Sequence, residues 1–409
     1  MLKNPVITAI CIMFMTGACW DTTYLGEKRV EGDTIFETDS ESETNTSEET
    51  DVPTDKDSES GNDTASGTTT DSDTDSGTGT SPDQATETDT ATQIELPDSF
   101  QWTSSGPLIS PLGDGENIKD PTVVRYGDDS NGEWLIYATR QFANNGGINL
   151  AYLHFSDWAD AASAEKVAVN TNPNMNSYIA APQLFYFSPR DEWYLVYQHP
   201  EPAYSVSSDP TDVSSWTAPV AFMPVPPLLT DNGDTGYDYW IICDDSDCYL
   251  FFTGLNGILY RARTSRVDFP NGFEGSTQIV MQDKDNRFAL YDACNVYRME
   301  GTDKYLLLVS AIGPNQDDWR YSRAWTSDRL DGSWSPLADT INNSFASKYN
   351  SANSDWSTFG IVHGEILRWN PDETMTVDIS SAQFLYSGLL RDSNTNIESY
   401  HLGLLSIVR

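Results

Sequence analysis

Short runs of aromatic and β-branched residues recur along the chain from about Ile94, and Gly, Asn, Asp and Pro separate them. Runs of this kind are typical of β-strands. Most of them come in pairs joined by a tight turn, as in residues 122–126 and 133–138. Residues 94–409 show no long helical periodicity. The pattern therefore predicts an all-β domain built of paired strands.

The paired strands form five units, which start near positions 120, 182, 238, 292 and 364. In the fifth and least regular unit, residues 365–369 are predicted to pair with residues 375–379 across a turn. The unit starts lie 62, 56, 54 and 72 residues apart. Paired strands repeated at such intervals indicate a β-propeller with about four strands per blade. We therefore predict a five-bladed β-propeller over residues 94–409; a β-sandwich is the alternative, but it does not explain the repeat.

The first 19 residues are predicted to be an export signal. Lys3 precedes an apolar stretch, residues 6–15, that is too short to span a bilayer. Small residues then lead into Cys19, which resembles a bacterial lipobox whose Cys becomes the lipidated first residue, although Thr16 stands where Leu is usual. Ordinary cleavage near an incidental Cys is the alternative. Both interpretations predict an exported protein, either lipid-anchored at the cell surface or extracellular.

Residues 20–93 are predicted to form a disordered linker. They hold 21 Asp and Glu against three basic residues, a net charge of −18. A segment of this composition buries too little apolar surface to offset the entropy lost on ordering. Its like charges repel and extend it. Behind a lipid anchor, such a linker holds a domain away from the envelope.

The acidity of the chain limits its partners. The formal net charge is −39, of which −22 falls on residues 94–409 once Lys3 is counted with the signal. A chain this acidic is not expected to bind nucleic acid. Its acidity suits solubility and an uncharged substrate. Membrane contact is expected only through the lipid anchor, and we expect a monomer.

Cysteine usage agrees with export. Cys243 and Cys248 bracket four residues between two apolar runs, which favours a disulfide across a tight hairpin in an oxidising compartment. A zinc site is not expected, because zinc needs four ligands and no second pair lies at ligand spacing. Cys294 has no evident partner and is predicted to be buried.

Carboxylates stand at the starts of the predicted innermost strands, where a propeller directs residues from every blade toward its axis. Asp120, Asp238 and Asp292 occupy this point in three units, Gln183 in the second and His363 in the fifth. A single Asp before a strand is usually a turn former. Three in register bring like charges together, which is costly and typical of a functional site. Such carboxylates can hydrolyse a glycosidic bond as acid and base, or as acid and nucleophile, depending on their separation.

Several segments resemble glycoside hydrolase family 62, in the family's order and over residues 96–405. The resemblance also covers residues 96–102, 105–110, 192–198, 240–245, 269–273 and 325–327. Its motifs include Ile118-Lys119-Asp120-Pro121, Ala181-Pro182-Gln183, Leu330-Asp331-Gly332-Ser333-Trp334, His363-Gly364-Glu365 and Leu402-Gly403-Leu404-Leu405.

The resemblance implies an inverting α-L-arabinofuranosidase that removes arabinofuranosyl side groups from arabinoxylan or arabinan. By this resemblance, Asp120 is the general base and Asp238 orients the general acid and modulates its pKa. Lys119 and Gln183 are implied to line the sugar pocket. His363 is implied to lie near a structural calcium ion at the propeller centre, where it acts with several waters because calcium prefers oxygen ligands.

Two aromatic residues allow two interpretations. Tyr386, in the segment 383–386, matches its family position and is either a substrate-binding residue or a core aromatic. Trp240 follows Asp238 by two positions and lies either beside the pocket or in the core. The other tryptophans, Trp102, Trp134, Trp158, Trp193, Trp216, Trp325 and Trp334, are predicted to pack the blades.

The main departure from the family lies at the general acid. The family has Glu where this chain reads Tyr291-Asp292-Ala293, so the Asp292 carboxyl lies about 1.5 Å further back, one carbon–carbon bond. A misplacement near 1 Å can cost about 10²-fold in rate. The alternatives are therefore a weakened or inactive carbohydrate-binding lipoprotein, or a related propeller glycosidase for another sugar. Residues 394–401 also depart from the family stretch that contacts the polymer backbone.

Overall fold

The computed structural model describes residues 96–128, 131–314, 320–394 and 397–409. The predicted signal, residues 1–19, and the predicted linker, residues 20–93, lie outside the described residues. The described part is nearly all β-structure, in five sheets, which confirms the predicted five-bladed propeller. No described helix is long and apolar enough to cross a membrane.

The described strands follow one another with few helices between them. In chain order they are β1 (Trp102–Ile109), β2 (Asn117–Tyr126), β3 (Glu133–Gln141), β4 (Ile148–Phe155), β5 (Lys166–Ala168), β6 (Ala180–Phe187), β7 (Glu192–Gln198), β8 (Pro202–Ser207), β9 (Val220–Ala221), β10 (Tyr237–Cys243), β11 (Asp247–Gly254), β12 (Ile258–Ser265), β13 (Gln278–Gln282), β14 (Asp292–Met299), β15 (Tyr305–Ile312), β16 (Arg320–Ser327), β17 (Ser335–Thr340), β18 (Asn343–Ser344), β19 (Ser351–Ala352), β20 (Val362–Ile366), β21 (Thr376–Val377), β22 (Gln383–Arg391) and β23 (Glu398–Ile407).

The helices of the described part are all short. One α-helix spans Pro227–Asp231. The remaining helices are 3-10 turns at Ala143–Asn145, Trp158–Ser163, Val169–Thr171, Pro173–Met175, Ser188–Arg190, Val213–Ser215 and Ile379–Ser381.

Four blades are antiparallel four-stranded sheets in chain order. They are β2–β5, β6–β9, β10–β13 and β14–β17, and β18 and β21 add to the edges of the fourth. Each begins with an innermost strand that is buried along most of its length. These near-continuous apolar runs match strands that are covered on both faces by neighbouring blades.

The fifth blade joins the two ends of the domain. Its strand order from the inside is β20, β22, β23, β1 and β19, so the first strand of the domain completes the last blade. β1 pairs antiparallel with β23, with Trp102 opposite Ile407. This pairing closes the ring of blades, and the buried indole of Trp102 donates to the Phe345 carbonyl at 2.5 Å.

The predicted second strand of the fifth unit was wrong. Residues 375–379 do not pair with residues 365–369; β21 within them pairs in parallel with β14 of the fourth blade. The true partner of β20 is β22, which follows later in the chain. A short extended segment carries no signal of its partner, because alternation fits either pairing.

Residues 368–377, here termed the strap, cross the ends of the innermost strands. Backbone N–H groups of four successive blades donate to carbonyls of the strap: Arg125 to Arg368 at 2.8 Å, Tyr186 to Pro371 at 2.8 Å, Cys243 to Glu373 at 2.8 Å and Arg298 to Met375 at 3.2 Å. These bonds lie at the strand ends remote from Asp120, Asp238 and Asp292. The strap therefore ties four blades together at one end of the propeller.

The predicted disulfide between Cys243 and Cys248 is confirmed, with the two Cα atoms 4.0 Å apart across the turn from β10 to β11. Cys294 is free and buried, as predicted. The tryptophans predicted to pack the blades are buried at Trp102, Trp134, Trp193, Trp216 and Trp325, and half-buried at Trp158 and Trp334.

Candidate active site

Every innermost strand carries an irregularity at the same end. The pairing with the second strand breaks after Lys119, Ala180, Tyr237, Asp292 and Val362 in the five blades. Breaks of this kind are β-bulges, which re-aim side chains. In four blades a non-glycine residue inside the bulge has a positive φ: Asp120 at 51°, Ala181 at 49°, Asp238 at 53° and Ala293 at 45°. Such strained backbone clusters at functional sites.

Asp120 and Asp238 both face His363 in this ring of bulges. The His363 Nδ1 lies 3.6 Å from Asp120 Oδ1 and 3.7 Å from Asp238 Oδ2. Lys119 Nζ lies 3.1 Å from Asp120 Oδ2. The Asp120 backbone N–H donates to Ser387 Oγ at 2.8 Å, and the Ser387 hydroxyl donates to the His363 carbonyl at 3.0 Å. The fifth blade therefore holds the backbone of Asp120 in the first blade.

Asp292 lies one position earlier than the sequence pattern indicated. In the fourth blade the residue with a positive φ is Ala293, whereas in the first and third blades it is Asp120 and Asp238. Asp292 therefore occupies the position just before the positive-φ residue, which Lys119 and Tyr237 occupy in those blades. The Ala293 N–H donates to Asp238 Oδ2 at 2.9 Å. This bond joins the third blade to the bulge that aims Asp292, so Asp238 and Asp292 are neighbours across one blade boundary.

Asp292 pairs with a fully buried arginine. Arg320 Nη2 donates to Asp292 Oδ1 and, at 2.8 Å, to Ser310 Oγ. The guanidinium carbon also lies 5.2 Å from the centre of the Tyr291 ring. Arg320 begins β16 and faces the innermost strand across β15. The shortened acid side chain is thus held by a charged partner on its own blade.

The three carboxyls differ in their pKa values. Burial raises the pKa of Asp120, but the charges of Lys119 and His363 and hydrogen bonds outweigh burial and lower it below 3.8. Burial and the charge of Asp120 raise the pKa of Asp238 to about 6. Burial raises the pKa of Asp292 to about 6 against the opposing charge of Arg320. Carboxyls whose environments push their pKa values apart are typical of acid–base pairs.

The side chains around His363 determine whether the predicted calcium ion finds enough ligands there. Burial lowers the pKa of His363, which favours neutral imidazole. The described residues contain no group of three or more His, Cys, Asp or Glu side chains that could hold a metal ion. Calcium takes six to eight oxygen ligands, and the side chains around His363 do not supply such a shell. The calcium ion stays a prediction, and no step is derived through it.

Gln183, which the resemblance places in the sugar pocket, lies between two blades. It is completely buried. Its Nε2 donates to the Ile241 carbonyl at 2.7 Å, and its Oε1 accepts from the Ile241 N–H at 2.7 Å. The side-chain amide thus pairs with a peptide group of β10 and joins the second blade to the third. Its Nε2 also lies 3.6 Å from Met375 Sδ.

Replacing Gln183 by leucine is expected to destabilise the fold and leave the site intact. The Ile241 N–H and carbonyl would both lose their buried partner, which costs about 1–3 kcal/mol for each unsatisfied group. Chemical denaturation should show the lower free energy of unfolding, while KM on an aryl arabinofuranoside stays unchanged. A raised KM in folded protein would restore Gln183 to the sugar pocket.

Trp240 and Tyr386 are core residues rather than pocket residues. The Trp240 Nε1 donates to the Val296 carbonyl at 2.8 Å, and its ring packs on Tyr297. The Tyr386 hydroxyl lies 2.9 Å from Ser104 Oγ, and no part of the residue is exposed. Of the two interpretations of each residue, the core interpretation therefore holds.

Two site residues were missed by sequence reasoning. Arg320 opens the third strand of its blade, and its only sequence signal is an arginine beside a buried strand. Tyr400 begins its buried stretch in β23 opposite Leu389 and packs against Val362, the neighbour of His363. Burial raises the pKa of the Tyr400 phenol to about 12, and the nearby charges of Lys119 and Arg320 oppose that rise.

The innermost strands of this five-bladed propeller bring three buried carboxyls with different pKa values to a common axis, an arrangement that suits acid–base hydrolysis of a glycosidic bond. The comparisons with known proteins agree. Residues 101–406 match the family model described as glycosyl hydrolase family 62. The chain therefore belongs to glycoside hydrolase family 62.

Relatives of known name and structure fall in the same family. The chain is 39% identical over 323 residues to alpha-L-arabinofuranosidase C of Cellvibrio japonicus, covering 76% of this chain and 48% of that protein. It thus spans about half the length of that relative. The catalytic domain of a Coprinopsis cinerea family 62 arabinofuranosidase is 41% identical with a TM-score of 0.70, covering 76% of this chain and 98% of the other. The Podospora anserina arabinofuranosidase PaAbf62A, solved with cellotriose, is 38% identical with a TM-score of 0.69, covering 77% and 98%.

Proposed function

We propose that the chain is an inverting α-L-arabinofuranosidase that removes arabinofuranosyl side groups from arabinoxylan or arabinan. The observation that carries the proposal is the contrast between Asp120, held beside Lys119 with a pKa lowered from its ordinary value, and Asp292, whose pKa burial raises to about 6. The first carboxyl is favoured as the ionised partner, and the second keeps its proton to higher pH. Inverting hydrolysis needs this pair, one as base and one as acid.

Asp120 acts as the general base in this proposal. Its charge is stabilised by Lys119, and its backbone is fixed by Ser387. It stands on the first blade, which is not a neighbour of the fourth blade in a ring of five. That placement supports a base that activates water on the sugar face opposite the acid.

Asp292 acts as the general acid, and Asp238 tunes it. Burial raises the pKa of Asp292 and the charge of Asp238 adds to that rise, so the acid retains its proton at higher pH than a lone aspartate. The bond from the Ala293 N–H to Asp238 Oδ2 fixes the bulge beside the acid. Proton transfer from Asp292 to the leaving oxygen then releases arabinose from the main chain.

Arabinose release from arabinoxylan by the purified chain tests the proposal, with the first-formed anomer read by proton NMR. Release of the β-anomer from an α-linked side group is expected for inversion. Retention of the α-anomer would overturn the base assignment. A panel including arabinan and xylosides separates this activity from a related propeller glycosidase of another specificity.

The activity on arabinoxylan is expected to fall as pH rises through about 6. Asp292 must be protonated to act, and above its pKa the protonated fraction falls about tenfold for each pH unit. Asp120, whose pKa is lowered by the charges of Lys119 and His363, stays ionised across this range. The profile of kcat/KM against pH checks this. An activated aryl arabinofuranoside, which needs little protonation, serves as the control and should lack the alkaline limb.

A carbohydrate-binding protein of low or no activity is the second candidate, favoured by one observation. Asp292 replaces the longer Glu expected from the family resemblance and is drawn onto Arg320. If arabinoxylan binds without turnover, the variant Asp292→Glu decides the cause. Restored hydrolysis would identify the short side chain as the defect, and continued silence would point to another substrate.

We also propose that export ends in lipidation at Cys19, which rests on the signal-like sequence alone. In a bacterial host, the full chain should partition with membranes and into detergent. The variant Cys19→Ser should release the domain into the soluble exported fraction with its activity unchanged. Equal partitioning of both forms would remove the anchor from the proposal.

A further inference from the structure

Trp369 is the one tryptophan of the described residues that is exposed, at 65% of its surface. Indole side chains are large and amphipathic, and folded proteins usually bury most of their surface. Trp369 is not part of a loose loop. It stands in the strap directly after Arg368, whose carbonyl accepts the Arg125 N–H at 2.8 Å. The backbone beneath the indole is therefore fixed to the first blade.

The ring itself is also held in place. The Trp134 ring lies 5.0 Å from the Trp369 ring in an edge-to-face arrangement. The Arg125 guanidinium lies 5.3 Å from the centre of the Trp134 ring and 5.6 Å from that of Trp369. Trp158 supports Trp134 from its far side at 5.7 Å. One face of the Trp369 indole is thus fixed by ring packing and cation–π contact, while much of the indole remains exposed to solvent.

Trp369 lies away from the carboxyls of the candidate active site. Asp120 lies near the beginning of β2 and Arg125 near its end, and five residues of strand span about 17 Å. Trp369 therefore belongs to the propeller end that carries the strap. A ligand on its ring does not occupy the catalytic pocket.

The surroundings favour an uncharged ligand. The Arg125 guanidinium is engaged by two indole rings and by the Ser156 carbonyl at 3.4 Å. Glu133 and Asp372 flank Trp134 and Trp369 in the sequence, and residues 94–409 carry a net charge of −22. Anionic partners are repelled by such a field, whereas the apolar face of a pyranose ring stacks on indole without charge.

We propose that Trp369 forms a second carbohydrate-binding site, opposite the catalytic pocket, whose indole stacks on the sugar rings of an uncharged polysaccharide main chain. Asn370, the next residue of the strap, is itself held by Asp372, to which its Nδ2 donates at 2.7 Å. Such a site holds the enzyme on the polymer while the pocket removes side groups. It depends on the polymer and not on the proposed hydrolytic activity.

Binding without turnover tests the site. In an Asp120→Asn background, which prevents hydrolysis, the full chain is titrated onto insoluble arabinoxylan and onto microcrystalline cellulose. Trp369→Ala should weaken binding to at least one of them by about tenfold. Trp369→Leu, which keeps an apolar cover over Trp134, should weaken it equally. Weaker binding to arabinoxylan would identify a xylan chain as the ligand of this site, and weaker binding to cellulose would identify a cellulose chain.

The matched control is Tyr349→Ala, because Tyr349 is the other strongly exposed aromatic ring within the described ranges, at 59%. It should bind as the parent does. With Asp120 intact, Trp369→Ala should keep the parental kcat/KM on an aryl arabinofuranoside. The site is overturned if both Trp369 variants bind like the parent or if Tyr349→Ala loses as much. It is also overturned if sedimentation shows that Trp369 joins two copies of the chain instead. Loss of hydrolysis with binding intact would overturn only the proposed activity.

Discussion

Replacing Asp292 by alanine is expected to lower kcat/KM on arabinoxylan by about 10²–10⁴-fold, the usual contribution of a general acid. The sugar–sugar bond has a poor leaving group, so its oxygen needs the proton that Asp292 holds. An aryl arabinofuranoside with an acidic phenol should lose far less activity. Steady-state kinetics on both substrates measure the ratio.

The matched control for Asp292→Ala is Asp285→Ala, since Asp285 is an exposed carboxylate a few residues upstream. That change should leave both substrates unaffected. Equal losses on arabinoxylan and on the aryl substrate after Asp292→Ala would count against its role as acid. Circular dichroism must show the native fold, because removing Asp292 leaves the buried Arg320 without its carboxylate partner.

Replacing Asp120 by asparagine is expected to lower kcat/KM by about 10²–10⁴-fold on both substrates. Water must be activated whatever the leaving group is, so a better phenol does not compensate. This equal loss is what separates the base from the acid. Asparagine preserves the side-chain size and keeps the backbone bond to Ser387.

The outcome that contradicts the base role is a loss confined to arabinoxylan. A change of Lys119 to methionine gives a second readout, because Lys119 lowers the pKa of Asp120. The acid limb of the pH profile should then move to higher pH. An unmoved limb would assign that limb to another group.

The blade pattern was predictable from sequence because each innermost strand is an apolar run followed by a turn and a second run. That signal is local, and it correctly placed four of the five strand pairs. The closing of the ring was not predictable in the same way. The pairing of β1 with β23 joins residues nearly 300 positions apart, and the register of residues 375–379 depends on which strand edge they meet.

The site was predicted in part for a related reason. Asp120, Asp238 and His363 do converge, because bulges at matched strand ends re-aim them. The one-residue offset of Asp292 follows from a shorter bulge, which leaves no trace in the sequence. Gln183 and Trp240 lie just past the bulges, where the pairing is regular again, and their side chains donate to carbonyls of the next blade. Tyr386 lies on β22, the second strand of its blade, and its hydroxyl contacts Ser104 of the same blade.

The strap also sets the copy number of the repeat. Its carbonyls at residues 368, 371, 373 and 375 meet the first, second, third and fourth blades in turn. Two or three extended residues cover about 7–10 Å. The spacing of these carbonyls along the strap therefore fixes the spacing of the blades around the axis. A duplicated blade would present a further backbone N–H group for which the strap has no carbonyl at the matching spacing. The number of blades is therefore matched to the length of one connection within the fifth blade, which makes this propeller resistant to gaining or losing a unit by duplication.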